Sequence, residues 1–425
     1  MSQPLPATTP ELLLAYQREM EAELARIAQF WLEKTVDHQY GGFIGQMTGA
    51  GEVDPTADKG GILNARILWT FSAAYRHTSR PDYREAATRS FRYLLDHFVD
   101  AEYGGIYWLL DAQGQPLNTR KQIYALAFAL YGCSEYYQAT QQPQALELSQ
   151  ALFQWIEQHS YDAQYGGYFE AFSRTGELLE DLRLSEKDHN APKTMNTHLH
   201  ILEAYANLYR CWPDAHLAER LHGLLTTFLT HITDAETGHL RLFFARDWTP
   251  TVDLVSYGHD IEAAWLLLEA AEVLGDEQLL QQVKTACLAL TNATAAALLP
   301  DGSLPHERNR ETGHLDTHRE WWVSAEAMVG FLNAYQLTHE ATLLEHSYKA
   351  WQFARQHLLD FDLGEWRWGV WDDYRPMTYH DKVGFWKCPY HNARACLEVS
   401  RRCKNESMRY TTNTASVAAT SASEA

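Results

Sequence analysis

The sequence predicts an all-α fold, an (α/α)6 barrel of six helical hairpins with short β-ribbons at one mouth. One observation behind this prediction is a glycine turn that recurs at intervals of 62 to 72 residues. A second is a pair of amphipathic helical patterns between successive turns. A third is that alternation typical of strands lasts only a few residues after each turn. Such a fixed period indicates repeated supersecondary units. The turns are marked by Gly41, Gly104, Gly166, Gly238, Gly302 and Gly364.

The helical patterns come in pairs separated by helix breakers. Met195, Leu199 and Leu202 share one helix face, and Pro213 separates this helix from the next. Six hairpins without a polar capping repeat favour a closed ring over an open solenoid. We therefore expect one domain over residues 1–403 and a disordered, Ser/Thr/Ala-rich tail over 404–425. The other helices are predicted near residues 9–34, 61–77, 82–98, 119–139, 143–159, 258–274, 277–296, 320–337, 342–358 and 389–402.

Composition narrows the classes of partner. The formal net charge of −20 disfavours nucleic acid and anionic lipid, which leaves a small, neutral molecule as the expected partner of a monomeric protein. No apolar run is long enough to span a membrane, and the first residues lack the pattern of a signal peptide, so a cytoplasmic location is expected. The six cysteines form no CxxC motif, and reduced thiols are favoured over three disulfides.

Polar and aromatic residues recur where the inner helices are predicted to begin. In a closed ring these positions surround one mouth, so every repeat contributes to a central pocket. The candidates found this way are Arg66, Tyr124, Asn196, His200, His259, Glu262, Trp322, Glu326, Trp386 and His391.

Three histidines stand out in this set. Asn196 and His200 lie four residues apart on one helix face. Glu262, one turn after His259, is predicted to orient that imidazole, although a helix cap by the intervening aspartate and a simple His–Glu pair would need no function. His391 falls in a first helical turn, where the helix dipole would lower its pKa and favour a neutral general base.

The remaining candidates suit a sugar. The indole faces of Trp322 and Trp386 match the apolar faces of pyranose rings, although each could be a core residue. Arg66 and Tyr124 are expected to donate hydrogen bonds to sugar hydroxyls.

Other chemistries find little support. The chain has no HExxH, P-loop, GxGxxG or GxSxG motif and no tight Cys/His cluster, so no cofactor and no metal are predicted, with a zinc ion in a histidine-rich cavity as a minor alternative. An inverting glycoside hydrolase is the serious competitor, because barrels of this kind host such enzymes and two opposed carboxyl groups are available. Three histidines fit proton transfer at carbon better. The candidate carboxyl groups are Asp188, Glu262, Glu307 and Glu326.

Five segments carry a resemblance to known enzymes. They are GILNARILWTF (61–71), KTMNTHLHILEAYANLYR (193–210), SYGHDIEAAWLLLEA (256–270), EWWVSAEAMVGFLNAYQ (320–336) and DKVGFWKCPYHNARACLE (381–398). In this order they resemble the cellobiose 2-epimerases of the N-acylglucosamine 2-epimerase superfamily, from about residue 10 to 402. N-acylglucosamine 2-epimerases and mannose isomerases share the fold and the use of histidines, and they are the alternative families for this chain.

The resemblance implies a reaction and a site. The reaction is inversion of carbon 2 of the reducing-end glucose or mannose unit of β-1,4-linked disaccharides such as cellobiose or lactose, without metal or nucleotide. Its catalytic residues would be His200, His259 and His391. The chain departs from the family pattern over 366–376, where contacts to the second sugar are not carried over. The predicted substrate-binding residues are Arg66, Tyr124, Asp188, Asn196, Glu262, Glu307, Trp322, Glu326 and Trp386.

Overall fold

The structure, a computed structural model, describes the backbone of residues 9–423 and the side chains of residues 9–410. Within this part of the chain twelve α-helices form a double ring, as predicted. They are α1 (Thr9–Lys34), α2 (Gly61–Thr78), α3 (Pro81–Tyr93), α4 (Ile123–Thr140), α5 (Pro143–His159), α6 (Met195–Tyr209), α7 (Ala215–Thr227), α8 (Tyr257–Leu274), α9 (Glu277–Ala295), α10 (Trp321–Thr338), α11 (Ala341–Phe353) and α12 (Tyr390–Ser423). Three outer helices, α3, α7 and α11, continue into single π-helical turns at Leu94–Phe98, Phe228–Ile232 and Ala354–Leu358.

The even-numbered helices form the inner ring. They are apolar around nearly their whole circumference, as in α4, where every residue from 123 to 136 is buried. The odd-numbered helices are amphipathic and bury one stripe, which in α3 runs from Tyr83 to Tyr93. Each inner helix packs on the next, α12 packs on α2, and α1 covers α12 from outside. The ring is therefore closed, and the inner helices all begin at the same mouth.

Short strands connect neighbouring repeats at that mouth. The strand that leads into an inner helix pairs with the strand that follows the next glycine turn: β3 with β4, β6 with β7, β8 with β11, β12 with β13 and β15 with β16. A bridge between Met47 and Val383 joins the last repeat to the first. The described strands are β1 (Gln46–Met47), β2 (Val53–Asp54), β3 (Lys59–Gly60), β4 (Leu109–Leu110), β5 (Pro116–Asn118), β6 (Lys121–Gln122), β7 (Ala171–Phe172), β8 (Lys193–Thr194), β9 (Thr233–Asp234), β10 (His239–Leu240), β11 (Phe243–Phe244), β12 (Leu254–Ser256), β13 (Glu307–Asn309), β14 (Leu315–Asp316), β15 (Arg319–Glu320) and β16 (Gly369–Val370).

Buried lysine–aspartate pairs fix the glycine turns to the strands. In four repeats an aspartate four residues before the marker glycine binds a lysine from the strand or loop that precedes the inner helix. Each pair holds the entrance of an inner helix against its own turn, and three of the lysines, Lys59, Lys193 and Lys382, also donate to the carbonyl of the marker glycine. The pairs are Lys59–Asp37 (2.6 Å), Lys121–Asp100 (2.9 Å), Lys193–Asp162 (3.0 Å) and Lys382–Asp360 (2.7 Å).

The end of α12 differs from the prediction. The helix runs to Ser423 instead of ending near residue 402, and residues 404–410 pack on the barrel. Glu406 is 1% exposed and accepts a hydrogen bond from Gln336 Nε2, while the hydroxyls of Tyr410 and Tyr335 lie 2.8 Å apart. The predicted disordered tail is therefore wrong for 404–410, where apolar and polar contacts to α10 outweigh the disorder-prone composition. Side chains beyond residue 410 and residues 424–425 lie outside the described part of the chain.

Two further expectations concern the chain as a whole. All six cysteines are free thiols, and five of them are buried. None of the helices among residues 9–423 combines the length and the apolar character needed to cross a lipid bilayer.

Lys193 offers a test of the lysine–aspartate pairs. Its Nζ donates to Asp162, to Gly166 O at 2.6 Å and to Arg246 O at 2.7 Å. We expect Lys193→Met to lower the free energy of unfolding by about 3–5 kcal/mol, because a buried carboxylate loses a buried partner. Urea unfolding followed by tryptophan fluorescence measures the change, with the exposed Lys34→Met as the matched control within about 0.5 kcal/mol of wild type. Equal stability of the two variants would contradict a structural role for the pair.

Candidate active site

The predicted mouth contains a cavity of about 440 Å³. An adjoining cavity of about 400 Å³ shares Asp188, Asn196 and His259 with it and extends to Glu307. Glu326 lines neither cavity. Ten of the twelve predicted site residues therefore line the first cavity, namely Arg66, Tyr124, Asp188, Asn196, His200, His259, Glu262, Trp322, Trp386 and His391.

One arginine organises the floor of the cavity. Arg394 of α12 is 1% exposed and donates to three carboxylates from three other inner helices. Its Nη1 lies 2.7 Å from Glu203, and its Nη2 lies 2.5 Å from Glu262 and 2.7 Å from Glu326. Four inner helices are thus tied together at the centre of the barrel.

Two of these carboxylates also orient histidines. His200 Nδ1 lies 2.8 Å from Glu203 Oε1, and His391 Nδ1 lies 2.7 Å from Glu326 Oε1. Glu326 is ionised and only accepts hydrogen bonds, so Nδ1 of His391 carries the hydrogen. Burial raises the pKa of Glu203, but its two oxygens already accept hydrogen bonds from Tyr390 Oη and Arg394 Nη1, so Nδ1 of His200 is the donor there as well. In the neutral form Nε2 then holds a free lone pair, and within the described residues neither Nε2 forms a hydrogen bond to protein.

His259 is held differently from the prediction. Its Nδ1 lies 2.8 Å from Ser256 Oγ, not against Glu262, which faces Arg394. Neither does Asp260 cap the helix, because its carboxylate binds His239 Nδ1 at 2.6 Å. A serine hydroxyl can donate or accept, so both tautomers of His259 are accessible, unlike those of His200 and His391.

Burial keeps the three histidines neutral. It lowers the pKa of His259 to about 3 and the pKa of His200 well below its ordinary value. Burial also lowers the pKa of His391 to about 3, against the opposing effect of its hydrogen bond to Glu326. For His391 the largest cause of the lowered pKa is desolvation, and the positive charges of Arg66 and Arg394 lower it further. The helix dipole expected from the sequence is therefore not the main cause.

The three carboxyl groups beside Arg394 differ in pKa. Burial raises the pKa of Glu203 and, together with the neighbouring charge of Glu326, that of Glu262. For Glu326 burial is outweighed by Arg394 and by the hydrogen bond from His391, which together lower its pKa. Glu326 is therefore the ionised partner of His391, and it lines neither cavity.

Several polar atoms at the cavity have no protein partner. Arg66, 3% exposed, donates to Tyr124 Oη at 2.8 Å and stacks on Phe128, yet its Nε is unpaired and it forms no ion pair within the described residues. Asn196 Oδ1 and Glu262 Oε2 are buried and unpaired as well. Buried polar groups nearly always form hydrogen bonds, so these atoms mark where a polar ligand binds.

Aromatic side chains form one wall of the cavity. Trp322 and Trp368 donate their indole N–H groups to the same carboxylate, that of Glu320, at 2.7 and 2.9 Å. Trp386 lies with its ring centre 6.1 Å from that of Tyr124. Glu320 thus fixes two of the indoles that line the cavity, and indole faces are suited to stack on the apolar face of a pyranose.

Asp188 lies on a loop at the rim, and Glu307 lies at the start of β13. Asp188 accepts hydrogen bonds from the backbone and side chain of Ser185, which shapes the loop over the cavity. Glu307 is about one-third exposed, next to His306.

Sequence reasoning missed four residues, Glu203, Arg394, Glu320 and Trp368. The sequence contains a signal for the first two. Three positions after each of the three site histidines, one turn further along the same helix face, stands a charged residue. These charged residues are Glu203, Glu262 and Arg394. Trp368 lies in the segment that departs from the family pattern, and no local signal pointed to it.

Comparisons with known proteins identify the family of the chain. The family model for N-acylglucosamine 2-epimerase (GlcNAc 2-epimerase) matches residues 42–395. A cellobiose 2-epimerase of Bacteroides fragilis is 50% identical over 384 residues, which cover 90% of this chain and 98% of that protein.

Solved structures of cellobiose 2-epimerases have the same fold as this chain. The structure of cellobiose 2-epimerase from Spirochaeta thermophila has a TM-score of 0.88 and 42% identity, covering 94% of this chain and 99% of its own. That of cellobiose 2-epimerase from Bacillus thermoamylovorans also has a TM-score of 0.88, at 38% identity, covering 92% and 100%. The chain is a carbohydrate epimerase of the isomerase class and belongs to the N-acylglucosamine 2-epimerase family.

Proposed function

We propose that the protein inverts carbon 2 of the reducing-end glucose or mannose unit of a β-1,4-linked disaccharide, with cellobiose as the first substrate to test. The observation that carries the proposal is that three buried, neutral histidines from three repeats surround one cavity. In two of them an acid fixes Nδ1, which leaves Nε2 for chemistry. The names of relatives that are 33–50% identical support the substrate.

Ring opening comes first. His200 Nε2 takes the O1 proton and returns it to O5, which breaks the C1–O5 bond and exposes the aldehyde. The unpaired Nε of Arg66 lies at the cavity and stabilises negative charge on O1. The aldehyde makes the hydrogen on carbon 2 acidic.

Proton transfer at carbon 2 follows. His391 Nε2 takes the proton from one face, and ionised Glu326 on its Nδ1 stabilises the imidazolium that forms. An enediolate results. His259, which is neutral in the empty cavity, takes up a proton from water together with the substrate and delivers it to the opposite face of carbon 2. His391 releases its proton to water to complete the cycle, and the pair exchanges roles in the reverse direction. Proton return to carbon 1 of the same enediolate would give some ketose.

The spacing of two of the candidate carboxyl groups bears on the hydrolase alternative. Ligand atoms of Glu262, Glu326 and His391 lie within 4.8 Å of one another, and both carboxylates bind Arg394. An inverting hydrolase needs two carboxyl groups about 6.5–9.5 Å apart on opposite sides of the substrate. Glu262 and Glu326 are therefore unsuited to that reaction.

Alanine substitutions test the histidine assignment. We expect His259→Ala and His391→Ala each to lower kcat/KM for cellobiose about 100-fold or more, the contribution of general acid–base catalysis. His222→Ala, at a site 53% exposed, is the matched control. Chromatography of the products should show glucosyl-mannose without free glucose. Near-wild-type turnover by either variant would refute its role, and free glucose would support a hydrolase.

Glu326→Gln tests the positioning of His391. The amide can still accept from Nδ1, but the negative charge that supports the imidazolium is lost. We expect kcat to fall about tenfold or more, with little change in KM. The carboxylate raises the pKa of His391 against burial, so its removal should move the acid limb of the kcat profile to lower pH. In wild type that limb should lie below pH ~6.5, the value of a free histidine, with activity held at neutral to mildly alkaline pH. An unmoved limb would show that Glu326 does not act through His391; the exposed Glu219→Gln is the control.

Metal removal tests whether the chemistry depends only on side chains. We expect activity on cellobiose to survive dialysis against EDTA, because every step above assigns its proton or charge to a residue of the chain. Epimerisation is measured before and after dialysis. Loss of activity that a divalent ion restores would mean that the histidines act as ligands.

A further inference from the structure

We propose that His306, His318 and Glu320 bind a divalent transition-metal ion such as Zn²⁺ at the rim of the sugar cavity, apart from the catalytic histidines. Potential ligand atoms of the three side chains all lie within 4.8 Å of one another. His318 Nε2 is 3.1 Å from Glu320 Oε1, and His306 Nδ1 is 4.0 Å from Glu320 Oε2. Small rotations bring three such atoms to the 2.0–2.2 Å that zinc requires.

In each of the two imidazole rings, the nitrogen that does not face Glu320 faces another carboxylate. His318 Nδ1 lies 2.5 Å from Asp316 Oδ1, and His306 Nε2 lies 3.7 Å from Glu307 Oε1. Histidines that ligate metals usually donate their second N–H to a carboxylate or carbonyl, which fixes the tautomer and strengthens the ligand. The cluster thus has the outer partners of a metal site as well as its ligands.

One ring nitrogen of the cluster, Nδ1 of His306, lacks a hydrogen-bond partner among the described residues. This nitrogen is also inaccessible to solvent. Buried polar atoms are rarely left unpaired. A metal ion between the two imidazoles gives this nitrogen a partner, which no neighbouring protein group does.

The backbone around the cluster is regular. Glu307 of β13 pairs with Asp316 of β14 across an antiparallel hairpin, and Glu320 ends β15. The donors therefore sit on or beside paired strands, which place side chains more reproducibly than free loops do.

The donor set selects the class of ion. Two imidazole nitrogens and one carboxylate suit Zn²⁺ or neighbouring divalent transition metals, with water in a fourth position. Ca²⁺ and Mg²⁺ prefer several oxygen ligands, of which the cluster offers few. Glu320 also holds the indoles of Trp322 and Trp368, so the ion would link the β13–β14 hairpin to the aromatic wall.

Calorimetric titration of the EDTA-treated full-length protein with ZnCl2 tests the proposal. We expect one site that is weakened at least about tenfold by His306→Gln and by His318→Gln. The matched control is His314→Gln, an exposed histidine in the same hairpin, which should bind like wild type. Asp316→Asn should weaken binding by about 10–100-fold, because it removes the outer partner of His318. Thermal melting of each variant without metal confirms folding.

Two outcomes would overturn the proposal. One is the absence of Zn²⁺ binding by wild type, or unchanged affinity in both histidine variants. The other is loss of binding in His391→Gln with normal affinity in His318→Gln, since Glu262, Glu326 and His391 form a second group of possible ligands. The site is independent of turnover, so a failure here leaves the proposed epimerisation as it stands.

Discussion

The guanidinium of Arg394 is the interaction on which the centre of the barrel depends. It is the cation among three buried acids, Glu203, Glu262 and Glu326, each from a different inner helix. Without it three carboxyl groups would face one another in a low-dielectric interior, and breaking one such pair typically costs about 3–5 kcal/mol. Burial raises the pKa of Glu262, and the charge of Glu326 acts in the same direction, whereas Arg394 and the hydrogen bond from His391 lower the pKa of Glu326. Glu326 therefore stays ionised beside Nδ1 of His391.

A second kind of buried ion pair stabilises the outer rim of the mouth. There the cations are lysines, each paired with an aspartate of its own repeat, as in Lys121–Asp100 and Lys193–Asp162. These pairs act within a repeat and set where an inner helix starts, whereas Arg394 acts across repeats and sets how the helices face one another. His391, in the first turn of α12, is therefore fixed both by the Lys382–Asp360 pair that precedes its helix and by Glu326, which Arg394 holds.

The fold was predictable because its signals are local. Periodic apolar residues located the helices to within a few positions, and the glycine turns gave the number of repeats. The site was predictable as a set of residues at helix starts, but not as a set of contacts. His200–Glu203 and His259–Glu262 have the same spacing, yet only the first forms a pair. Which way a carboxylate turns depends on Arg394 from the far side of the ring, and single-helix patterns do not contain that information. For the same reason His306 and His318, twelve residues apart in the chain, looked unrelated.

The position of α12 in the chain has a consequence for biosynthesis. This helix supplies both Arg394 and His391, and it packs on α2 and α1, which are made first. A nascent chain that ends before residue 390 has five inner helices, an open seam and three acids at its centre without their counter-ion. The ring can therefore close only after α12 has been made, and closure brings His391 and the counter-ion of the three acids into the barrel in one step.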